Sequence, residues 1–269
     1  MASDEAASAF SISGRTYPQN GARQFLLPDA LREISGLTFD AEQRLYGHDD
    51  EQGVIYQIDY QAGRVVNRFA LAGGVRADFE GISWMNEQLY LITSNGLLYE
   101  FAAGRMNEQV PFTIHTEGLD CEVEGLSRSP DRSALIAACK NPAAGKKALH
   151  LYRWAPGQSR WESYLKVKRS AFDTAFDRLG VDRPKRFQPT GLTITPEGNL
   201  LLIAGPQKVL LEMTAEGKPL AAARLSANMH RQPEGIAMTI EGTLIIADEG
   251  DNKGARKSPG RLAVYEPAP

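Results

Sequence analysis

Three glutamates stand in the same short motif, each followed by glycine and an aliphatic residue: Glu80-Gly81-Ile82, Glu124-Gly125-Leu126 and Glu234-Gly235-Ile236. The motif occurs twice more with a hydroxyl in place of the carboxylate, in Ser35-Gly36-Leu37 and Thr190-Gly191-Leu192. Carboxylates that lie close together repel each other unless they are protonated or paired. A hard divalent cation removes this repulsion, and Ca²⁺ accepts roughly six to eight oxygen ligands. If the fold gathers these glutamates, we expect a divalent cation, most favourably Ca²⁺; otherwise each caps backbone amides or pairs with arginine.

The spacing of the motif indicates how the fold gathers them. Successive motif glycines are 45, 44, 66 and 44 residues apart. A repeat of about 44 residues with strand-like content is typical of a β-propeller, with one repeat in each blade. The sequence therefore predicts an all-β fold with a single propeller of five four-stranded blades, and a six-bladed ring remains an alternative.

The ends of the chain and the long spacing complete this architecture. The last repeat lacks a fourth strand, and the apolar run at 22–27 precedes the first, so we expect this N-terminal strand to close the last blade. The extra residues near 166–186 have apolar positions at helical spacing and predict a short helical insert. Residues 1–16 are small and polar and predict a flexible arm, which leaves 17–269 as the propeller domain.

In each blade of a propeller, the innermost strand (A) and the next strand (B) are antiparallel. The start of strand A and the end of strand B therefore emerge on the same face of the ring. This places Glu80, Glu124 and Glu234 at one mouth of the channel, and Asp49 and Asp248 at ends of B strands complete the predicted metal ligands. Glu33, Asp78 and Glu122 precede the motif by two residues and reach the same rim.

Two further groups of side chains fall on this face. His48 and His230 are candidate general bases beside a metal-bound water, although a histidine near a turn is often structural. Basic residues would hold a phosphate or carboxylate ligand, unless they form only a surface of mixed charge. These candidate ligand-binding residues are Arg76, Lys140, Arg186, Lys208 and Arg231.

The composition limits the classes of partner and the cellular location that we expect. The 269 residues include 30 basic and 33 acidic ones, for a net charge of −3, which argues against nucleic acid and anionic membranes as partners. No apolar run approaches the length of a membrane span, and we expect a monomer. The N-terminal residues show no signal peptide, so the protein is cytoplasmic, or periplasmic or otherwise extracytoplasmic if a signal has been removed. Cys121 and Cys139 predict two buried thiols, with a single disulfide as the alternative.

These motifs resemble the SdiA-regulated family of bacterial β-propellers and, more loosely, the esterase-like phytase propellers. The matching segments are Ile34-Ser35-Gly36-Leu37, Asp78-Phe79-Glu80-Gly81-Ile82, Val123-Glu124-Gly125-Leu126, Cys139-Lys140-Asn141-Pro142, Thr190-Gly191-Leu192, Pro233-Glu234-Gly235-Ile236 and Ile246-Ala247-Asp248-Glu249. The resemblance implies a calcium-compatible propeller that is usually exported and has no settled activity.

Two functional hypotheses follow from the residues. The first is a binding or scaffold module that uses a cation at the channel mouth to hold a small anionic molecule or a partner protein. The second is a metal-dependent hydrolase of phosphoesters, esters or lactones, in which a cation polarises the scissile group and activates water. The sequence leaves open whether the protein is an enzyme.

Overall fold

Five antiparallel sheets form a ring in the computed structural model, which describes residues 9–142, 148–251 and 257–269. We number the blades 1–5 along the chain and letter their strands A–D from the channel outwards. Blade 1 comprises Ile34–Phe39, Leu45–Asp49, Val54–Asp59 and Arg64–Leu71. Blade 2 comprises Phe79–Met85, Gln88–Thr93, Leu98–Phe101 and Phe112–Ile114. Blade 3 comprises Cys121–Arg128, Leu135–Pro142, Ala148–Trp154 and Glu162–Lys168.

The remaining blades follow the same plan. Blade 4 comprises Gly191–Ile194, Leu200–Ala204, Val209–Met213 and Pro219–Arg224. Blade 5 comprises Pro233–Met238, Leu244–Asp248, Arg261–Tyr265 and, as its strand D, the N-terminal strand Arg23–Leu26. Strand Gln109–Val110 adds in parallel to the outer edge of blade 1. The five-bladed prediction and the closure by an N-terminal strand are confirmed, so the six-bladed alternative is set aside.

The motif glycines explain the tight ring. In blade 2, a Cβ atom on Gly81 would lie 2.7 Å from the backbone nitrogen of Leu126 in blade 3. In blade 4, a Cβ on Gly191 would lie 2.4 Å from the backbone oxygen of Glu234 in blade 5. Real Cβ atoms do not come this close to backbone, so only glycine lets neighbouring A strands approach around the channel.

The core lies between the blades and follows from the strand sequences. The B strands of blades 4 and 5 are buried throughout and are almost wholly aliphatic. Helix Arg169–Arg178 is the predicted insert, and its Phe172 and Phe176 are buried against strands of blades 3 and 4. Short 3₁₀ helices occupy Asp29–Leu31 and Gly205–Gln207. No helix in the described part of the chain is long and apolar enough to cross a membrane.

Two expectations need correction. Residues 1–8 of the predicted arm lie outside the described residues, but Ala9–Ile12 and Arg15–Pro18 form a hairpin. Its Phe10, Ile12 and Tyr17 are buried in the cluster between blades 4 and 5, so residues 9–16 are part of the folded unit. Cys121 and Cys139 form a disulfide, because strands A and B of blade 3 bring their Cα atoms to 5.9 Å. The preferred prediction of two thiols is therefore wrong.

Candidate functional site

Irregularities in the A strands set the direction of the motif side chains. In blades 1, 2 and 5 the pairing of strands A and B shifts register at Ser35, Glu80 and Glu234, and blade 3 shifts around Glu124. A β-bulge of this kind takes a residue out of the regular ladder and re-aims its side chain. In these four blades the same step of the repeat re-aims the motif side chain, which sequence alternation alone does not reveal.

A cavity of about 130 Å³ lies at the mouth of the channel, and we call it the mouth cavity. It contains the three glutamates of the motif together with acidic residues that flank other strands. Its lining residues are Glu33, Ile34, Ser35, Asp50, Glu80, Glu124, Lys140, Gln232, Glu234 and Glu249. The structure therefore brings the candidate residues Glu80, Glu124, Glu234 and Lys140 together with Glu33, Asp50 and Glu249.

Burial and mutual repulsion make the carboxylates of the motif weak acids. Burial, together with the charges of Glu124 and Asp78, raises the pKa of Glu80 to about 9. The Ser35 hydroxyl donates to Glu80 Oε2 at 3.0 Å, which only partly offsets this. Burial also raises the pKa of Glu234 well above its usual value, with a further contribution from Glu124. Ionisation of these glutamates is therefore unfavourable unless a cation balances their negative charge.

Lys140 is the exception to this acidity. Its Nζ lies 2.5 Å from Glu124 Oε1. Burial opposes the charge of the ammonium, but the Glu124 carboxylate outweighs this and raises the Lys140 pKa. Even with this partner, burial raises the pKa of Glu124 to about 7. One lysine therefore does not neutralise the mouth cavity.

A second acidic group adjoins the same cavity: Glu33 and Asp50 line it, and Asp49 lies beside them without lining it. Carboxylate oxygens of Glu33, Asp49 and Asp50 lie within 4.8 Å of one another. Asp49 Oδ1 accepts the backbone N–H groups of Glu51 and Gln52 at 3.1 Å, which fixes the turn after strand B of blade 1. Burial and the charges of Glu33 and Asp49 raise the pKa of Asp50 to about 7. Asp50 Oδ1 is buried and has no hydrogen-bond partner among the described residues.

The sequence identified part of this rim. Asp49 was selected as the last residue of a B strand, and the spacing of Glu33 two residues before Ser35 marked it as well. Asp50 and Glu249 directly follow Asp49 and Asp248, the last residues of the B strands of blades 1 and 5. In both blades the residue after strand B lines the mouth cavity.

Asp248 and His230 lie elsewhere, in a buried network. His230 Nδ1 donates to Asp248 Oδ2 at 2.7 Å, and the Tyr265 hydroxyl donates to His230 Nε2 at 2.7 Å. Asp248 Oδ1 accepts the backbone N–H of Gln232 at 3.2 Å. All three side chains are at most 3% exposed and none lines the mouth cavity. We call this set the His230 network.

His48 is also enclosed by protein. Its Nδ1 donates to the backbone oxygen of Asp49 at 3.0 Å, and its Nε2 is buried without a partner in the described structure. A Cβ on Gly36 would lie 2.5 Å from Nε2, so the ring packs against the motif glycine of blade 1. Burial lowers the His48 pKa to about 4. The ring does not line the mouth cavity.

Four of the five predicted basic residues lie away from the mouth cavity. Arg76 forms an exposed ion pair with Glu51 at 2.5 Å. Arg186 and Arg231 are exposed. Lys208 lines a different cavity at the outer edge of blade 4. Lys140 alone of the five lines the mouth cavity.

Comparison with known proteins agrees with this architecture. The profile of the SdiA-regulated family matches residues 23–252, and the chain belongs to this family. No curated protein matches the sequence.

Solved structures show the same fold at low identity. A gluconolactonase from Xanthomonas campestris matches with TM-score 0.52 and 14% identity, over 94% of this chain and 79% of that one. Regucalcin from Agrobacterium tumefaciens, described as a calcium-binding protein, matches with TM-score 0.51 and 13% identity, over 90% of each chain. A PQQ-bound aldose sugar dehydrogenase from Streptomyces coelicolor matches with TM-score 0.54 and 14% identity, over 91% and 98%. At these identities the likeness extends to the fold alone.

Proposed function

We propose that this protein is a divalent-cation-binding propeller, with Ca²⁺ the best-suited ion, and that it acts as a binding or scaffold module. The observation that carries the proposal is the mouth cavity itself. Six carboxylates and one lysine surround about 130 Å³. The acidic residues are Glu33, Asp50, Glu80, Glu124, Glu234 and Glu249.

The donor atoms fit a hard cation. Apart from Lys140, the polar side chains that line the cavity offer carboxylate, hydroxyl or amide groups, and no histidine or cysteine is among them. Oxygen ligands in this number suit Ca²⁺, whereas structural zinc sites use nitrogen and sulfur. The unpartnered Asp50 Oδ1 is a buried acceptor that a cation would satisfy. Glu80, Glu124 and Glu234 would hold the ion from the channel side, and Glu33 and Asp50 from the rim, with Asp49 adjacent to them.

A bound cation would also explain how so acidic a site could recognise an anion. Lys140 is already paired with Glu124 and offers little charge to a ligand. Arg186 and Arg231 do not line the cavity, so an incoming carboxylate or phosphate would be held through the cation's open coordination positions. The anion could belong to a small molecule or to an acidic side chain of a partner protein.

The test is a cation titration of chelated protein followed by its melting temperature. Ligands that bind only the folded state raise stability by mass action, so saturating Ca²⁺ should raise the melting temperature by several degrees. Glu124→Gln should abolish most of the shift. Glu241→Gln, an exposed residue at the opposite end of blade 5, is the matched control and should keep it. An unchanged melting temperature with both Ca²⁺ and Mg²⁺ would contradict the proposal.

A metal-dependent hydrolase of phosphoesters, esters or lactones is the second candidate. It is favoured by the number of carboxylates in the mouth cavity, since one that does not hold the cation could act as a general base, and by the gluconolactonase among the structural neighbours. A cation there would polarise the scissile group. Since His48 and His230 do not line the mouth cavity, the proton would pass to a carboxylate.

A substrate panel separates the two candidates. With Ca²⁺ bound, turnover of a phosphoester or a lactone that is lost in Glu124→Gln and kept in Glu241→Gln would favour the enzyme. A melting shift without turnover on the panel favours the binding module.

A further inference from the structure

A second and larger cavity lies at the outer edge of blade 4. Its volume is about 950 Å³, within the range of cavities that hold small organic ligands. The hairpin strand Ala9–Ile12, the segment after the helix and the end of strand Pro219–Arg224 form its walls. No lining residue in the described structure is shared with the mouth cavity. We call it the blade 4 cavity.

Small side chains create this space. Ala221 and Ala222 point to opposite faces of strand D, yet both line the cavity, so it runs along the outer edge of the strand. Ala223 follows them and belongs to the same core cluster as Phe10 of the hairpin strand. The site is therefore an elongated slot in which the methyl groups of these alanines lie beside polar side chains such as Gln19 and Gln207.

The opposite wall is held in place at both ends of the hairpin. Near its turn, Ser13 donates its backbone N–H and its hydroxyl to Glu212 at 2.8 and 2.7 Å. Beyond its second strand, the Gln19 side chain donates to the backbone oxygen of Arg224 and accepts the N–H of Ser226. Between these anchors Phe10 is buried in the core. The slot is thus pre-formed, which lowers the entropic cost of binding.

The charges of the slot select an anion. Arg224 and Asp182 largely balance each other, with 3.8 Å between Nε and Oδ2. Lys208 also lines the slot, and among the described residues its ammonium has no ion pair. Its backbone is fixed, because its N–H donates to Gly205 and its carbonyl accepts from Leu225 at 3.0 and 2.8 Å. One uncompensated positive charge therefore stands in the same slot as the methyl groups of Ala221 and Ala222.

We propose that the blade 4 cavity binds an amphipathic organic anion, with its carboxylate or sulfonate at Lys208 and its apolar body along Ala221 and Ala222. The occupant is a small molecule with a single acidic group. This site is independent of the cation proposed at the mouth cavity, so each proposal can fail without the other.

The probe is anilinonaphthalene sulfonate, which joins a sulfonate to an apolar ring system, with fluorescence measured in the presence of a chelator. Lys208→Gln should weaken binding about tenfold, because a charge-assisted hydrogen bond is lost. Lys208→Arg should keep most of the affinity, and Ala222→Leu should remove it by filling the slot. Lys218→Gln is the matched control, because Lys218 is exposed just before the same strand and does not line the slot. Melting curves confirm that each variant is folded.

Displacement of the probe tests whether the ligand needs an acidic group. Decanoate should displace the probe, and decanol should do so at least about fivefold more weakly, since it lacks the charge. Absence of probe binding, or equal binding by the wild type, Lys208→Gln and Ala222→Leu, would overturn the proposal. Displacement by decanol as strong as by decanoate would overturn the role of Lys208.

Discussion

The mouth cavity and the His230 network both collect ionisable groups near the ends of B strands, but they differ in whether these groups have hydrogen-bond partners. In the His230 network each nitrogen and each carboxylate oxygen has a hydrogen-bond partner at 3.2 Å or less. In the mouth cavity, burial raises the pKa of several carboxylates, and Asp50 Oδ1 has no partner in the described chain. A satisfied network stabilises the fold, whereas an unsatisfied one is suited to a ligand.

The largest effect should come from breaking the His230 network. Asp248→Ala leaves His230 Nδ1 and the Gln232 N–H without their acceptor in a buried site. We expect a loss of roughly 3 kcal/mol in the free energy of unfolding, as for other broken buried pairs. Tyr265→Phe removes one hydrogen bond and should cost about 1 kcal/mol. Urea unfolding measures both.

The same variants separate structure from function. Both should keep the calcium-dependent rise in melting temperature, since neither residue lines the mouth cavity. Loss of that rise in folded Tyr265→Phe would show that the two regions act as one site and would break the comparison.

The melting temperature of the chelated protein should depend on pH, because the mouth cavity holds carboxyl groups of raised pKa. Asp50 and Glu124 have pKa values of about 7 and Glu80 of about 9, all above the values of 3.8 and 4.5 for free side chains. Raised carboxyl pKa values stabilise the fold below the unfolded pKa, and this contribution is lost as pH rises through the folded pKa. The chelated protein should therefore melt at progressively lower temperature from about pH 5 to pH 9.

Ca²⁺ should oppose this fall in melting temperature, because the cation stabilises the ionised carboxylates. The difference in melting temperature with and without Ca²⁺ should widen as pH rises. A chelated protein whose stability is constant or increases from pH 5 to 9 would contradict the raised pKa values.

The smallest expected effect is a gain in stability when a carboxylate of the mouth cavity is replaced. Glu80→Gln replaces a buried carboxylate of raised pKa with a neutral amide of similar shape. In chelator at pH 9 it should stabilise the protein by about 1 kcal/mol, because a buried charge is removed. It should also reduce the response to Ca²⁺. Destabilisation of the chelated protein, measured against Glu241→Gln, would show that Glu80 is structural.

Much of the fold could be predicted from the repeat. The glycines of the motif must lie where neighbouring blades meet, as Gly81 shows by its 2.7 Å clearance to Leu126. Their spacing therefore defined the blades, and the missing last strand predicted that the N-terminal strand would close the ring. The glutamates followed, because each precedes a glycine whose position the ring fixes.

The repeat did not predict which way other side chains turn. Asp248 was placed at the mouth by its position at a strand end, but it turns inward to His230. Lys208 follows a B strand as expected, yet a left-handed residue conformation, with φ of 53°, carries it toward the outer cavity. The direction of such side chains depends on contacts with residues that are distant in the sequence. Among these residues is the hairpin, which the small and polar composition of residues 1–16 did not predict.

The most direct test of the central claim is a crystal soaked with Ca²⁺, and with a lanthanide for anomalous scattering. We expect an ion in the mouth cavity, coordinated by motif or rim carboxylates at roughly 2.3–2.6 Å from their oxygens. An anomalous map with no peak in that cavity at saturating ion, or with peaks only on outer surfaces, would contradict the account.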